Sequence, residues 1–136
     1  MTVDANVFVS ALSEAEVEHR ESFRFLESLE KRECLLVLPT LVRPEIAGAI
    51  IRTTGDVYAA QRAARLGFLS VPTSFIALDD KLSVDAADIA ASACVRGADA
   101  VYAAVARRFD TVLVTLDREL RQKLPSSVAC RYPQEL

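Results

Sequence analysis

Hydrophobic positions along this chain change period repeatedly, and the alternation predicts an architecture before any single residue is singled out. Continuous apolar runs at residues 34–38, bounded by Pro39, and 111–115 read as strands, the first of them buried on both faces. Shorter extended segments are predicted at 2–4, 72–78 and 128–132, the last at a sheet edge before Pro133. Between them the period lengthens to that of a helix. Residues 6–11 begin a helical turn, and Ser13 with Glu16 three residues on forms a capping-box pattern opening a helix to about residue 31, with Phe23, Leu26 and Leu29 on its apolar face. Further helices are predicted at 40–52, with Ile46, Ala49 and Ile50 on one stripe, and at 56–69 after Thr54, Gly55 and Asp56. A helix at 83–95 is capped by Ser83 and stopped by Gly97. It is followed by one at 98–109, marked by Val101, Val105 and Phe109, and by a short one at 117–124. About five strands with intervening helices imply βαβ units and an α/β fold on a mainly parallel sheet.

Length narrows the picture to one domain over residues 1–136, since a chain of this size buries one sizeable core. No apolar run approaches the roughly eighteen residues of a membrane span, and the N-terminal stretch MTVDANVFVSAL has no basic region of the signal-peptide kind. The expectation is a soluble, cytoplasmic protein that does not engage a membrane. Cys34, Cys94 and Cys130 lie far apart, without a CxxC pair, and read as buried thiols acting as small hydrophobes. His19, the one histidine, sits in a glutamate-rich stretch and reads as part of a solvated helix face. A Ser-His-Asp triad or a His-based metal site therefore has poor material here. Any catalytic chemistry falls to carboxylates.

Net charge is −3, which looks unsuited to a nucleic-acid partner, because such affinity rests largely on neutralising phosphates. The total hides a distribution. Seven glutamates crowd between Glu14 and Glu33 as one solvated face, and without the four candidate acids named next the acidic residues no longer outnumber the basic ones.

Asp4 and Asp117 stand at the carboxyl ends of predicted strands, Glu45 lies early in the helix after the second strand, and Asp99 lies in a first helical turn just after Gly97. In open parallel sheets these positions face the edge where ligands bind. Any one of these acids alone is more simply a helix cap or turn residue. Four converging without cationic partners would repel one another, so the set makes physical sense with a divalent ion, and oxygen-only ligands select Mg²⁺ or Mn²⁺ over zinc. Such a site cleaves phosphodiesters with a metal-activated water. Pro44 directly precedes Glu45, so the regular helix either starts near Pro44 or kinks there. Asp79 and Asp80 also follow a predicted strand, but read better as a loop leading into the Ser83-capped helix.

The segments TVDANVFVSAL, LPTLVRPEIAGAI and ADAVYAAVARRFDTVLVTLDREL resemble, in order and spacing, the three motifs of PIN-domain nucleases, and the resemblance covers nearly the whole chain. Size is similar to that of the VapC-type toxins of VapBC toxin–antitoxin pairs. What the resemblance implies is a parallel sheet with helices on both faces, Mg²⁺ or Mn²⁺ dependence, RNA as substrate, a homodimer and a small antitoxin partner. It carries Asp4, Glu45, Asp99 and Asp117 over as metal ligands or water-orienting acids, and Asn6 and Thr115 as hydrogen-bonding support. Thr115 also fits an ordinary β-branched strand position. Arg43, Arg118 and Arg121 adjoin these acids and are candidate phosphate contacts, with unspecific surface arginines as the plainer explanation. A housekeeping RNA-processing nuclease and a non-catalytic binding protein of the same fold stand as alternatives. A receiver or haloacid-dehalogenase-like phosphatase fits less well, since Asn6 stands where the phosphatase wants a second Asp and no lysine follows a late strand as a receiver requires.

Overall fold

Two ladders and one hydrogen-bonded seam build the sheet in the computed structural model, which describes residues 1–66 and 70–136. Strand β1 (Thr2–Val3) pairs in parallel with β4 (Leu113–Val114), and β4 pairs in parallel with β5 (Cys130–Arg131). The second ladder joins β2 (Leu36–Pro39) to β3 (Thr73–Ile76), again in parallel. At the seam, the Met1 amino group donates to the Leu35 carbonyl at 2.7 Å and the Val37 N–H donates to the Met1 carbonyl at 2.8 Å. The spatial order is therefore β3-β2-β1-β4-β5. The three inner strands are buried on both faces, as their continuous apolar character requires.

Seven helices among the described residues connect the strands: α1 (Ala5–Leu12), α2 (His19–Lys31), α3 (Val42–Thr54), α4 (Val57–Ala64), α5 (Asp80–Ala93), α6 (Gly97–Arg108) and α7 (Arg118–Lys123). The right-handed rule for parallel crossovers, applied to this strand order, assigns α1 to α4 to one face and α5 to α7 to the other, in keeping with the packing of α1 on α2 and α3, α3 on α4, and α5 on α6. Helix α6 is the most deeply set, with Ala100 to Ala106 all buried against β1, β2 and β4. No single helix among the described residues is long and apolar enough to cross a membrane.

Several boundaries differ from the sequence expectation, each for a local reason. Ser13 closes α1 instead of opening α2, because its N–H is taken by the Ser10 carbonyl. Helix α2 begins at His19, whose Nδ1 lies 3.0 Å from that same carbonyl. The buried stripe of α2 is accordingly Ser22, Phe25, Leu26 and Leu29, and Phe23 is left half exposed. Asp79, not Ser83, caps α5 by accepting from the Leu82 N–H at 2.6 Å. Its other partner is Arg108 of α6, which also reaches Asp85, so Asp79 ties α5 to α6. Gly97 does not stop α5; Cys94 does so in a left-handed conformation at φ 52°, and Gly97 opens α6. Cys94 is thus exposed, whereas Cys130 is buried and Cys34 is intermediate, so the expectation of three buried thiols holds for one. Phe109 lies at the end of α6 and is partly exposed. The expected end of the fourth helix at Leu69 lies outside the described residues.

Pro44 falls in the first turn of α3, where its missing N–H leaves no helical bond unmade, and Glu45 donates its N–H to the Leu41 carbonyl at 3.2 Å. The helix runs unbroken through it. Leu113 is fully buried in β4, between β1 and β5. Leu113→Ala is expected to lower unfolding free energy by about 2–5 kcal/mol, read from urea denaturation. A loss below about 1 kcal/mol would contradict the placement of β4 at the centre of the core.

Candidate active site

The strand order reverses between β1 and β4, and the crevice beyond the carboxyl ends at such a reversal is where an α/β sheet binds ligands. Asp4 follows β1 directly, and Thr115 follows β4. One Asp4 oxygen, Oδ2, accepts from the Thr115 hydroxyl at 2.7 Å and from Asn6 Nδ2 at 2.8 Å. The other, Oδ1, accepts from the Asn6 backbone N–H at 3.4 Å and so caps α1. Asn6 Oδ1 accepts from the Leu116 N–H at 3.1 Å, and Thr115 Oγ1 accepts from Asn6 Nδ2 and from the Asp117 N–H. Each member of the trio is held by the other two. Thr115 is fully buried, and its hydroxyl rather than its β-branched shape accounts for its position.

Asp117 caps α7 with Oδ1, which accepts from the Leu120 N–H at 2.9 Å. Asp99 lies in the first turn of α6 with both oxygens turned to Arg96, whose Nε donates at 2.9 Å and Nη2 at 3.4 Å. Glu45 Oε2 accepts a 2.6 Å bond from the Tyr102 hydroxyl, and Tyr102 stands one turn beyond Asp99 on α6. Asp4, Asn6, Glu45, Asp99 and Asp117 all line one cavity of about 560 Å³. Four carboxylates thus arrive from four different elements.

Electrostatics at this crevice oppose ionisation. Asp4 is only 6% exposed, and burial, with smaller contributions from Asp99 and Glu45, raises its carboxyl from 3.8 to about 6 despite the bonds from Thr115 and Asn6. Glu45 is also raised, first by burial and then by Asp99, with the Tyr102 hydroxyl opposing the shift. Burial and the adjoining Glu45 carboxylate hold the Tyr102 phenol far above its usual range, so it serves as a proton-bearing donor.

An excess of buried negative charge with oxygen-only donors fits a hard divalent cation. Among the described residues no three His, Cys, Asp or Glu side chains are gathered to grip one ion as they stand. Glu45 is turned to Tyr102, Asp99 to Arg96, and Asp4 to Thr115 and Asn6. Magnesium usually keeps several waters and takes only one or two carboxylates directly, so the donor set suits a hydrated ion and not an all-protein cage.

The three arginines named from sequence are placed differently. Arg43 does not line the cavity; its guanidinium lies 4.1 Å from the Phe75 ring centroid and reaches the Ala64 carbonyl. Arg121 is bound to Glu135 through two hydrogen bonds and stacks on Tyr132, so its charge is already matched. Arg118 is exposed and lines an adjoining cavity of about 290 Å³ with Glu18 and Tyr132. Sequence reasoning passed over Arg96, Arg52 and Tyr102. Arg96 and Arg52 line the acid cavity itself. The i, i+3 spacing of Asp99 and Tyr102 was the available signal for the last. Glu16 and Glu18 are solvent-exposed as expected, but they precede α2 instead of lying on it, and they also line the cavity.

Residues 1–123 match the PIN domain family. This chain belongs to that family. Among solved PIN-like structures it is similar to VapC20 of Mycobacterium tuberculosis, a sarcin–ricin-loop-cleaving toxin, with TM-score 0.77 and 17% identity over 94% of this chain and 98% of that one. It is also similar to VapBC2 of Rickettsia felis, solved bound to a promoter DNA fragment, with TM-score 0.71 and 15% identity over 96% of both chains. A third is a toxin–antitoxin complex from Klebsiella pneumoniae, with TM-score 0.65 and 14% identity over 94% and 98%. No curated protein matches the sequence significantly. The PIN fold of the chain is thereby established, with its parallel sheet and two helical faces.

A carboxyl raised from 3.8 to about 6 holds its proton longer in the folded than in the unfolded chain, so its contribution to stability is present at low pH and is lost as pH rises from about 4 to about 6. In EDTA, wild type is expected to lose roughly 2–3 kcal/mol relative to Asp4→Asn across that window. The check is urea denaturation of both proteins at pH 4 and pH 7. A difference between them that stays constant with pH would contradict the burial account of Asp4.

Proposed function

We propose that this PIN-domain protein is a metal-dependent endoribonuclease that hydrolyses RNA phosphodiester bonds, and that it acts in the cytoplasm as the toxin of a type II toxin–antitoxin pair. The observation that carries the reading is the arrival of Asp4, Glu45, Asp99 and Asp117 from four elements at one crevice, where burial and neighbouring carboxylates oppose the charge of Asp4 and Glu45. Asp4, Asp99 and Asp117 would hold Mg²⁺ or Mn²⁺, with Glu45 beside them. When bound, such an ion supplies Lewis acidity that makes water a better nucleophile and offsets charge gathering on the phosphate.

The chain's own residues divide the remaining work. Asn6 and Thr115 fix the Asp4 carboxylate, so that its position is set by the sheet and not by a flexible side chain. Tyr102 holds Glu45 through Oε2 and leaves Oε1 to accept the proton of the attacking water, a role helped by burial, which raises this carboxyl above its ordinary value. Arg52, at the same cavity, supplies positive charge toward an RNA phosphate. Support for the toxin reading comes from the kinship of fold with VapC20 and with toxin–antitoxin complexes. A homodimer and a small antitoxin protein complete the proposed assembly.

Purified protein incubated with single-stranded RNA is expected to cleave it in Mn²⁺ or Mg²⁺ and not in EDTA. Asp4→Asn should lower the rate by at least about a hundredfold, and Tyr102→Phe, which leaves the ligands in place, by roughly tenfold. Gel-resolved cleavage rates at saturating Mn²⁺ give both numbers. Cleavage that persists in EDTA, or full activity in Asp4→Asn, would remove the mechanism.

A further inference from the structure

The acid cavity contains a cation of the chain's own, placed where an incoming ion would have to compete with it. Arg96 precedes α6 in extended backbone, φ −67° and ψ 149°, and Asp99 follows three residues later. Its Nε and Nη2 donate to the two oxygens of Asp99, and Nη2 also lies 3.7 Å from Asp117 Oδ2. The side chains of Asp99 and Asp117 are 14% and 30% exposed, whereas that of Arg96 is 79% exposed. The guanidinium therefore covers both acids from the solvent side. A hydrated ion approaches from the same direction.

Arg96 also stands between two cavities. The second hollow, of about 340 Å³, is lined by the same Asp99 and Asp117 together with Cys94, Glu119 and Lys123, and the mostly exposed guanidinium between the two has open solvent to turn into. Arginine does not lose its proton in proteins, so the contest for the acids is purely electrostatic. Ion pairs this exposed contribute little, and at equal distance a divalent ion attracts a carboxylate twice as strongly as a guanidinium does. The balance favours exchange.

We propose that Arg96 is a resident counter-ion of the acid cluster, which holds Asp99 and Asp117 in the metal-free protein and yields them, turning out into solvent, when a divalent ion binds. The proposal rests on reading the cluster as a metal site. It predicts that Arg96 weakens metal affinity while sparing the empty site the repulsion of uncovered acids.

Two measurements on the intact protein test it. The first follows the Arg96 Nε–H signal by NMR through a Mg²⁺ titration, together with the side-chain carboxyl carbons of Asp99 and Asp117. The second compares Mn²⁺ affinity by calorimetry between wild type and Arg96→Gln. The Nε–H signal is expected to shift in step with metal occupancy, and Arg96→Gln is expected to bind Mn²⁺ roughly fivefold more tightly. A stationary Nε–H signal while the carboxyl carbons move, or equal or weaker Mn²⁺ binding by Arg96→Gln, overturns the counter-ion role and leaves the metal site standing. If no signal moves and neither protein binds Mn²⁺, the metal site falls and this proposal with it.

Discussion

The Thr115 hydroxyl is the contact on which the site depends. It donates to Asp4 at the end of β1 and accepts from Asn6 and from the Asp117 N–H at the end of β4, so it ties together the two strand ends between which the sheet reverses its order. Without that lacing, Asp4 would be a buried carboxylate with a single side-chain donor. With it, the ends of β1 and β4 and the starts of α1 and α7 share one hydrogen-bonded node. Such a network is strong only while complete, since a buried polar group left without its partner is destabilising by about 1–3 kcal/mol.

The same node shows why fold and chemistry cannot be separated here. Asp4 caps α1 and Asp117 caps α7, which are ordinary structural duties. Each spends one oxygen on its cap. The remaining oxygen of Asp4 meets Thr115 and Asn6 in surroundings that penalise its charge, and that of Asp117 faces Arg96 across the crevice. Capping therefore does not compete with the proposed metal ligation by these residues. The helix starts that need caps are the means by which the acids are aimed at one place.

Much of this was legible in the sequence because it rests on period and on strand ends. The apolar runs of β2 and β4, the order of strands and helices, and the convergence of Asp4, Glu45, Asp99 and Asp117 on one edge all follow from local pattern plus the geometry of parallel sheets. What escaped was decided by tertiary contact. Ser13 carries a capping signal, yet its N–H is claimed by α1, and no local rule reveals that. Arg121 adjoins a site acid in sequence, yet Glu135 takes it, while Arg96 was passed over and sits on two of the acids. Tyr102 is marked in the sequence only by its i, i+3 spacing from Asp99. Its hydroxyl finds Glu45 only because α3 and α6 meet above the sheet edge.

The chemistry of the site turns on whether these carboxylates hold a divalent ion between β1 and β4. Crystals soaked in Mn²⁺ and measured for anomalous scattering answer this most directly. A manganese peak is expected in the cavity, about 2.0–2.2 Å from an oxygen of Asp4 and of at least one of Asp99 and Asp117, distances ordinary for a small hard cation. Manganese density only elsewhere on the protein, with these oxygens still bound to Thr115, Asn6 and Arg96 alone, would contradict it.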